Sequence, residues 1–432
     1  MTERRKFIQK IAGLTAAFST PSLIQQAWAA DWEKVHQKAG GLTPQALATD
    51  EDYWSVIQQA YTVNPNMVNL NNGGVSPSPR VVQEAVERFN QLSNEAPSYY
   101  MWRILDQGRE PVRYKLATLA GCSPNEIAIN RNATEALNTV IFGYPFKAGD
   151  EVIGTKQDYP NMIQAYRQRA LRDGIVYTQL SFDFPIEDDH SIVAAFEKAI
   201  TPRTKLIHIT HIINWVGQIM PVKKIAAMAH ARGIEVIVDG AHSFGLLDFK
   251  IPDLECDYFG TSLHKFLSAP IGSGMLWIHA NKIEKIWPLL CNDKPLSNDI
   301  RKFETLGTRS FPIEQGIGEA VNFHMAIGSK RKEERVRYLK NYWATKALQI
   351  PGVKIHTSLK DKYACGICGV TIDGMTPAAL DSALYTGYKI HTVGIVWENI
   401  SCVRITPHVY TRLEDLDKLV VALTEIAAKQ KV

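Results

Sequence analysis

Ile234-Glu235-Val236-Ile237-Val238-Asp239-Gly240-Ala241-His242-Ser243, followed downstream by Thr261-Ser262-Leu263-His264-Lys265, decides the reading of this chain. A mostly β-branched run of this length reads as a buried strand, with Asp239 at its carboxyl end. Lys265 comes twenty-six positions after Asp239, in a polar turn followed by Gly272-Ser273-Gly274. A strand-end acid and a turn lysine in this order meet the needs of pyridoxal phosphate chemistry. The lysine condenses with the cofactor aldehyde. The carboxylate keeps the pyridine nitrogen protonated, so the ring can draw electrons from a substrate α-carbon. Taken singly, an Asp at a strand end and a Lys in a turn are ordinary structural residues, and the surrounding sequence has to decide.

Outward from that stretch, helical patterns alternate with short β-branched runs from about residue 78. Strands are expected at Ile127–Asn130, Glu151–Gly154, Ile175–Thr178, Lys205–Thr210, Ile234–Asp239, Tyr258–Gly260 and Gly274–Ile278. Helices lie between most of them, among them Asn161–Arg172, His190–Ala199 and Val222–Arg232. This alternation predicts an α/β fold with a mostly parallel, seven-stranded sheet covered on both faces. Ligands of such sheets bind beyond the carboxyl ends of the strands, where Asp239 stands. A long helical stretch, Ile313–Leu348, leads to strands near Gly369–Ile372 and Ser401–Ile405 and to an amphipathic helix, Leu413–Ala428. That is enough for a smaller C-terminal α+β domain. The expected division is a signal over 1–29, an N-terminal segment over 30–75 packing near the small domain, a large domain over 76–310 and a small domain over 311–432.

The cofactor phosphate needs a cradle. Arg131-Asn132-Ala133-Thr134-Glu135 follows a predicted strand and opens a helix at Ala133, where free backbone N–H groups and the positive end of the helix dipole favour a dianion, with Thr134 as hydroxyl donor. Ser262 and His264, beside Lys265, supply a second side. Tyr159, in Asp158-Tyr159-Pro160, could stack on the cofactor ring opposite Ala241. Asn214 is a donor for the ring hydroxyl, with His242 as the alternative.

These residues together resemble the class V aminotransferases, which are fold-type I pyridoxal phosphate enzymes. The resemblance covers about residues 65 to 425 and is most specific between Val238 and Gly274. It implies a fold-type I transferase fold, Lys265 and Asp239 as catalytic residues, and a homodimer with active sites at the subunit interface. Glu304-Thr305-Leu306-Gly307-Thr308 looks like the family loop in which Gly307 and Thr308 reach the phosphate of the neighbouring subunit. Cys402-Val403-Arg404-Ile405-Thr406 resembles the family segment whose arginine forks onto the substrate carboxylate, so Arg404 takes that role. The combination of Asn132–Asn138, Asp158-Tyr159-Pro160 and Asp239–His242 looks nearest to the isopenicillin N epimerase-like branch. Cysteine desulfurases of the family carry a nucleophilic cysteine before the arginine segment. Here Tyr388–Gly394 holds none, which argues against persulfide transfer. The implied substrate is an amino acid or a metabolite containing one. The implied reaction is transamination, with epimerisation or C–S lysis as alternatives.

The remaining features bound the setting. The chain has 432 residues, 45% of them hydrophobic, and a formal charge of +4. Most of that charge sits in residues 3–10, so no nucleic-acid partner is implied. Arg4-Arg5-Lys6-Phe7-Ile8, a mildly apolar stretch over Ile11–Phe18, and Ala27-Trp28-Ala29 resemble a twin-arginine export signal with its cleavage site. That implies passage through the twin-arginine machinery to a periplasm. The six cysteines show no metal-ligand spacing. Cys365 and Cys368 have redox-motif spacing, but they abut a predicted strand in which positions three apart face opposite ways. Ser262-Leu263-His264-Lys265 is a literal Ser-x-x-Lys of penicillin-recognising enzymes. The Lys-Thr-Gly strand of those enzymes is missing, and Pro270 interrupts the helix they require. A binding module that had lost catalysis would have little reason to keep Lys265, Asp239, His264 and Arg404 together.

Overall fold

The computed structural model describes residues 32–37 and 39–430, so the expected signal over 1–29 lies outside the described residues. The strands are β1 (Val68–Asn69), β2 (Ile127–Asn130), β3 (Glu151–Thr155), β4 (Val176–Leu180), β5 (Thr204–Thr210), β6 (Glu235–Asp239), β7 (Tyr258–Ser262), β8 (Gly274–Ile278), β9 (Val353–Ile355), β10 (Cys368–Ile372), β11 (Ile390–His391), β12 (Val393–Trp397) and β13 (Ile400–Ile405). The helices that matter most here are α1 (Glu51–Gln58), α2 (Ala133–Gly143), α3 (Phe311–Ile327), α4 (Ser329–Ala347) and α5 (Leu413–Lys429).

Seven strands form the central sheet in the order β2-β8-β7-β6-β5-β3-β4. Neighbours from β7 through β4 run parallel, and β8 alone is antiparallel to its neighbours β7 and β2. The side-chain period of two sorts the apolar residues onto two faces. Val236, Val238, Ile207, Ile209 and Phe259 enter one core. Ile237, Leu206, Tyr258 and Leu276 enter the other. With both faces buried, the carboxyl edge is the part of these strands left for a ligand.

The smaller sheet is antiparallel, in the order β12-β13-β10-β9. Leu339 and Trp343 of α4 and Leu419 and Leu423 of α5 cover it together with Val370 and Val403. Ile395, Ile400 and Cys402, on β12 and β13, pack instead into the large core with Val238 and Phe259. Tyr53, Trp54 and Ile57 of α1 pack with Phe323 and Ile327 of α3, Val336 of α4, Val409 and Tyr410. Phe266, the residue after Lys265, belongs to this same cluster.

The expected helical stretch Ile313–Leu348 is two helices. Gly328 separates α3 from α4 with φ +95°, a backbone conformation that a side chain disfavours. β9, β11 and β12 were not expected, and nor was the parallel pairing of β1 with β11. Cys365 and Cys368 are free and buried, and burial pushes their thiols up to about 12 and about 11. Among the described residues no helix is long and apolar enough to cross a membrane.

Candidate active site

β5, β6 and β7 end side by side, with Asp239 in register with Thr210 and Gly260. The chain turns sharply after Asp239. A Cβ at Gly240 would lie 1.9 Å from the Phe259 ring, so this turn requires glycine. Asp239 is 4% exposed and accepts from the Ala241 N–H at 2.9 Å. Burial raises its carboxyl above the ordinary value, and nearby Asp158 adds to the rise against the pull of His208 and Lys265. Among the described residues it forms no salt bridge. Such a carboxylate is stabilised by a cation arriving from outside.

Lys265 lies in the turn between β7 and β8. Its Nζ is 3.0 Å from His242 Nε2. Burial, opposed by Asp239 and aided by Arg404, lowers the amine to about 8. Burial and the cations Lys265 and Arg404 hold His242 well below the ordinary imidazole range. His242 is therefore neutral, and Nε2 is the acceptor for the lysine. Among the described residues its Nδ1 is buried without a partner. The lysine turn is tied from several sides. The Ser76 N–H donates to the His264 carbonyl at 3.0 Å, and Lys332 Nζ donates to the Phe266 carbonyl. The Ser268 hydroxyl meets Tyr61 and His408 at 3.4 and 3.3 Å.

The phosphate cradle forms where α2 begins. The Ala133 N–H donates to Ser262 Oγ at 3.0 Å, joining the helix to the end of β7. Thr134 occupies the second position of that helix. β8 passes so close that a Cβ at Gly274 would come within 2.5 Å of the Asn132 backbone. His264 Nδ1 is 2.9 Å from the Ser273 carbonyl, so Nδ1 carries the proton and Nε2 keeps its lone pair. Gly307 and Thr308 are exposed on the loop after Glu304. Their neighbours Leu306 and Arg309 line a cavity of about 350 Å³ with Arg131 and Asn132.

Arg404 is buried on β13. It donates from one terminal nitrogen to the Asn214 carbonyl at 3.0 Å and from the other to Asn71 Oδ1 at 2.9 Å. Among the described residues its Nε has no partner, and its hydrogen-bond acceptors are the neutral Asn214 carbonyl and Asn71 amide. Burial lowers it to about 10. A buried guanidinium held only by neutral acceptors is a place for an anion. The Asn214 Oδ1 is also buried without a partner. Tyr159 opens the helix Pro160–Asp173 and is 40% exposed, close enough to Arg404 for its phenol to influence that guanidinium.

The structure thus gathers Asp239, His242, Lys265, Asn214 and Arg404 with Tyr159 at the sheet edge, and Ser262, His264, Ala133 and Thr134 around the start of α2. The orphaned polar atoms and uncompensated charges fit pyridoxal phosphate and an amino acid. Sequence reasoning assigned no role to Asn71 on Arg404. It also missed His208, buried behind Asp239 with Nδ1 3.3 Å from the Tyr166 hydroxyl. Its signal was present as a lone histidine in the apolar run Leu206-Ile207-His208-Ile209. Asp158, fully buried and raised by burial to about 6, accepts from Thr210 at 2.8 Å and from the Thr155 N–H at 2.7 Å.

This fold and this site define a fold-type I pyridoxal phosphate enzyme. The chain belongs to the class-V aminotransferase family, whose model matches residues 68–419. It is 27% identical to the isopenicillin N epimerase of Streptomyces clavuligerus over 87% of this chain and 99% of that protein. A probable cysteine desulfurase of Halalkalibacterium halodurans is 27% identical over 84% of this chain and 94% of its own length. Among solved structures, the cystine C–S lyase C-DES in complex with cysteine persulfide superposes with a TM-score of 0.77 at 24% identity, covering 84% of this chain and 98% of that one. The apo cysteine desulfurase of Thermococcus onnurineus also gives 0.77, at 21% identity, covering 87% and 98%.

Proposed function

We propose that the protein moves a proton at the α-carbon of an amino acid or an amino-acid-containing metabolite, with transamination as the outcome. The observation that carries this reading is the grouping of Lys265, His242 and Asp239 with a carboxylate-free Arg404. Bound pyridoxal phosphate supplies an electron sink for the charge left on the α-carbon. Arg404 receives the substrate carboxylate, taking over the contact that Asn71 makes in its absence. Lys265, lowered to about 8, presents enough neutral amine near neutral pH to accept the α-proton. Neutral His242 keeps that amine aimed. Asp239 would hold the pyridine nitrogen of the bound cofactor protonated, and that proton would relieve its buried charge.

Epimerisation is the second reading, favoured by the isopenicillin N epimerase relatives from Streptomyces clavuligerus and Amycolatopsis lactamdurans, each aligned over 87% of this chain. It uses the same residues and returns the proton to the opposite face. Persulfide transfer has less support. Residues 388–394 hold no cysteine, and Cys402 is buried on β13 with its thiol pushed up to about 12.

The test is the visible absorption of the purified protein while L-amino acids are added one at a time. Transamination bleaches the cofactor band. Epimerisation leaves the band and places solvent deuterium on the α-carbon of both enantiomers. A protein that stays colourless after cofactor is added sinks the reading of Lys265.

We also propose that residues 1–29 direct export by the twin-arginine route to the periplasm. The enzyme would act as a homodimer in which Gly307 and Thr308 of one copy approach the phosphate of the other. The exposure of Gly307, Thr308 and Ile271 supports the second point. Fractionation of the tagged full chain and the mass in solution test the two separately.

A further inference from the structure

β12 and β13 form a hairpin whose tip reaches out of the small sheet. Glu398 turns the tip with φ +51°. Trp397 Nε1 donates to the Lys156 carbonyl at 2.8 Å. Gln157 Nε2 donates to Asn399 Oδ1 at 2.7 Å, and Asn399 Nδ2 donates to the Phe182 carbonyl at 3.0 Å and to Asp183 Oδ1 at 2.6 Å. Trp215 Nε1 donates to the Gln157 carbonyl at 2.8 Å, and its ring stacks on Trp397 at 5.7 Å and 27°. Lys156 and Gln157 lead directly into Tyr159, and Trp215 follows Asn214. Five residues beyond Asn399 on the same hairpin is Arg404, which donates to the Asn214 carbonyl. Ile395, Ile400 and Cys402 seat the hairpin in the large core.

We propose that this hairpin tip is a positioning element. It ties the loop bearing Tyr159 to the strand bearing Arg404, so that the cofactor ring and the substrate carboxylate are held at a fixed offset. The inference rests on the roles given above to Tyr159 and Arg404. Neither Trp397 nor Asn399 is placed to touch substrate or cofactor. They reach the site through the main chain of Lys156, the side chain of Gln157, the ring of Trp215 and the Phe182–Asp183 segment.

Asn399→Ala and Trp397→Phe test it in the full-length holoenzyme. Asn399 is exposed, and phenylalanine keeps an aromatic ring at 397 while removing the N–H, so the two changes are mild. Two quantities are read: the position of the cofactor absorption band and the affinity for propionate, an unreactive carboxylate, titrated on that band. Each variant is expected to shift the band and to bind propionate about fivefold more weakly, as the site loosens with the loss of one hydrogen bond in Trp397→Phe and three in Asn399→Ala. The melting temperature is read alongside. A band and an affinity both equal to those of the parent protein overturn the proposal, whatever the melting temperature does. Movement of one without the other also overturns it, because the hairpin would then serve a single contact. A parent protein with no cofactor band would instead overturn the function proposed above.

Discussion

Two buried charged regions lie close together in this molecule, and they are built on opposite principles. Beside the cradle, Arg109, Arg113 and Arg309 meet Glu304, Glu314 and Asp106. Arg113 forks onto Glu304 at 2.6 and 2.9 Å, and Glu304 also accepts from the Ile129 N–H at 2.6 Å. Arg109 bridges Glu304 and Glu314 at 3.2 and 3.0 Å, and Arg309 bridges Glu314 and Asp106 at 2.6 Å each. Burial pushes the Glu304 carboxyl up, yet the two arginines overcome it and hold it below its ordinary value. At the sheet edge the reverse holds. Asp239 stays raised, Lys265 and Arg404 stay lowered, and His242, Asn214 and Arg404 keep polar atoms without partners. A buried ion network whose charges are paired with one another braces a fold. One left incomplete is stabilised by what binds there.

Removing groups from each region tests that contrast. Lys265→Ala should lower turnover by about 10⁴-fold and leave the cofactor removable by dialysis, measured by steady-state rates and absorbance. A variant retaining a tenth of the activity would end the role given to Lys265. Glu304→Ala should destabilise the protein by about 3 kcal/mol in denaturant unfolding, because it removes the buried carboxylate that Arg109 and Arg113 share and leaves Arg113 only its partly exposed partner Glu110. The cofactor band of the folded fraction should not move. If the band moves more than the stability does, the two regions are not separate in function. Arg404→Lys should raise KM by about thirtyfold with little change in kcat, since an ammonium cannot fork onto a carboxylate. The smallest effect concerns pH. The rate at which cofactor-free protein captures pyridoxal phosphate should climb as pH rises through about 8 and then level, because the neutral amine is the reacting form. A rate still climbing toward the ordinary lysine value of 10.5 would show that burial does not lower this amine.

Much of the sheet was legible because parallel strands buried on both faces are short apolar runs, and their ends carry the chemistry. Asp239, Lys265 and Ser262 followed from that rule. The break at Gly328 was not legible. α3 and α4 are both helical in pattern, and a single glycine between them barely disturbs a periodicity. The pairing of Val68 with Ile390 joins two-residue strands far apart in sequence, which no local pattern encodes. Asn71 was visible as part of a turn, but its side chain finds Arg404 only through tertiary contact. His208 was the readable signal left unused, a polar ring in a strand with no polar face.

The placement of β8 fixes an order of assembly. β2 is the first strand of the central sheet to leave the ribosome, yet its only neighbour in that sheet is β8, whose last residue is Ile278. The bond from Ala133 to Ser262 likewise waits for β7. Until some 280 residues have been synthesised, the opening turn of α2 lacks its partners on β7 and β8, and the phosphate has no second wall. Such long-range closure is a slow step. A nascent or truncated chain therefore cannot trap the cofactor early, and capture of pyridoxal phosphate reports that translation has passed the sheet.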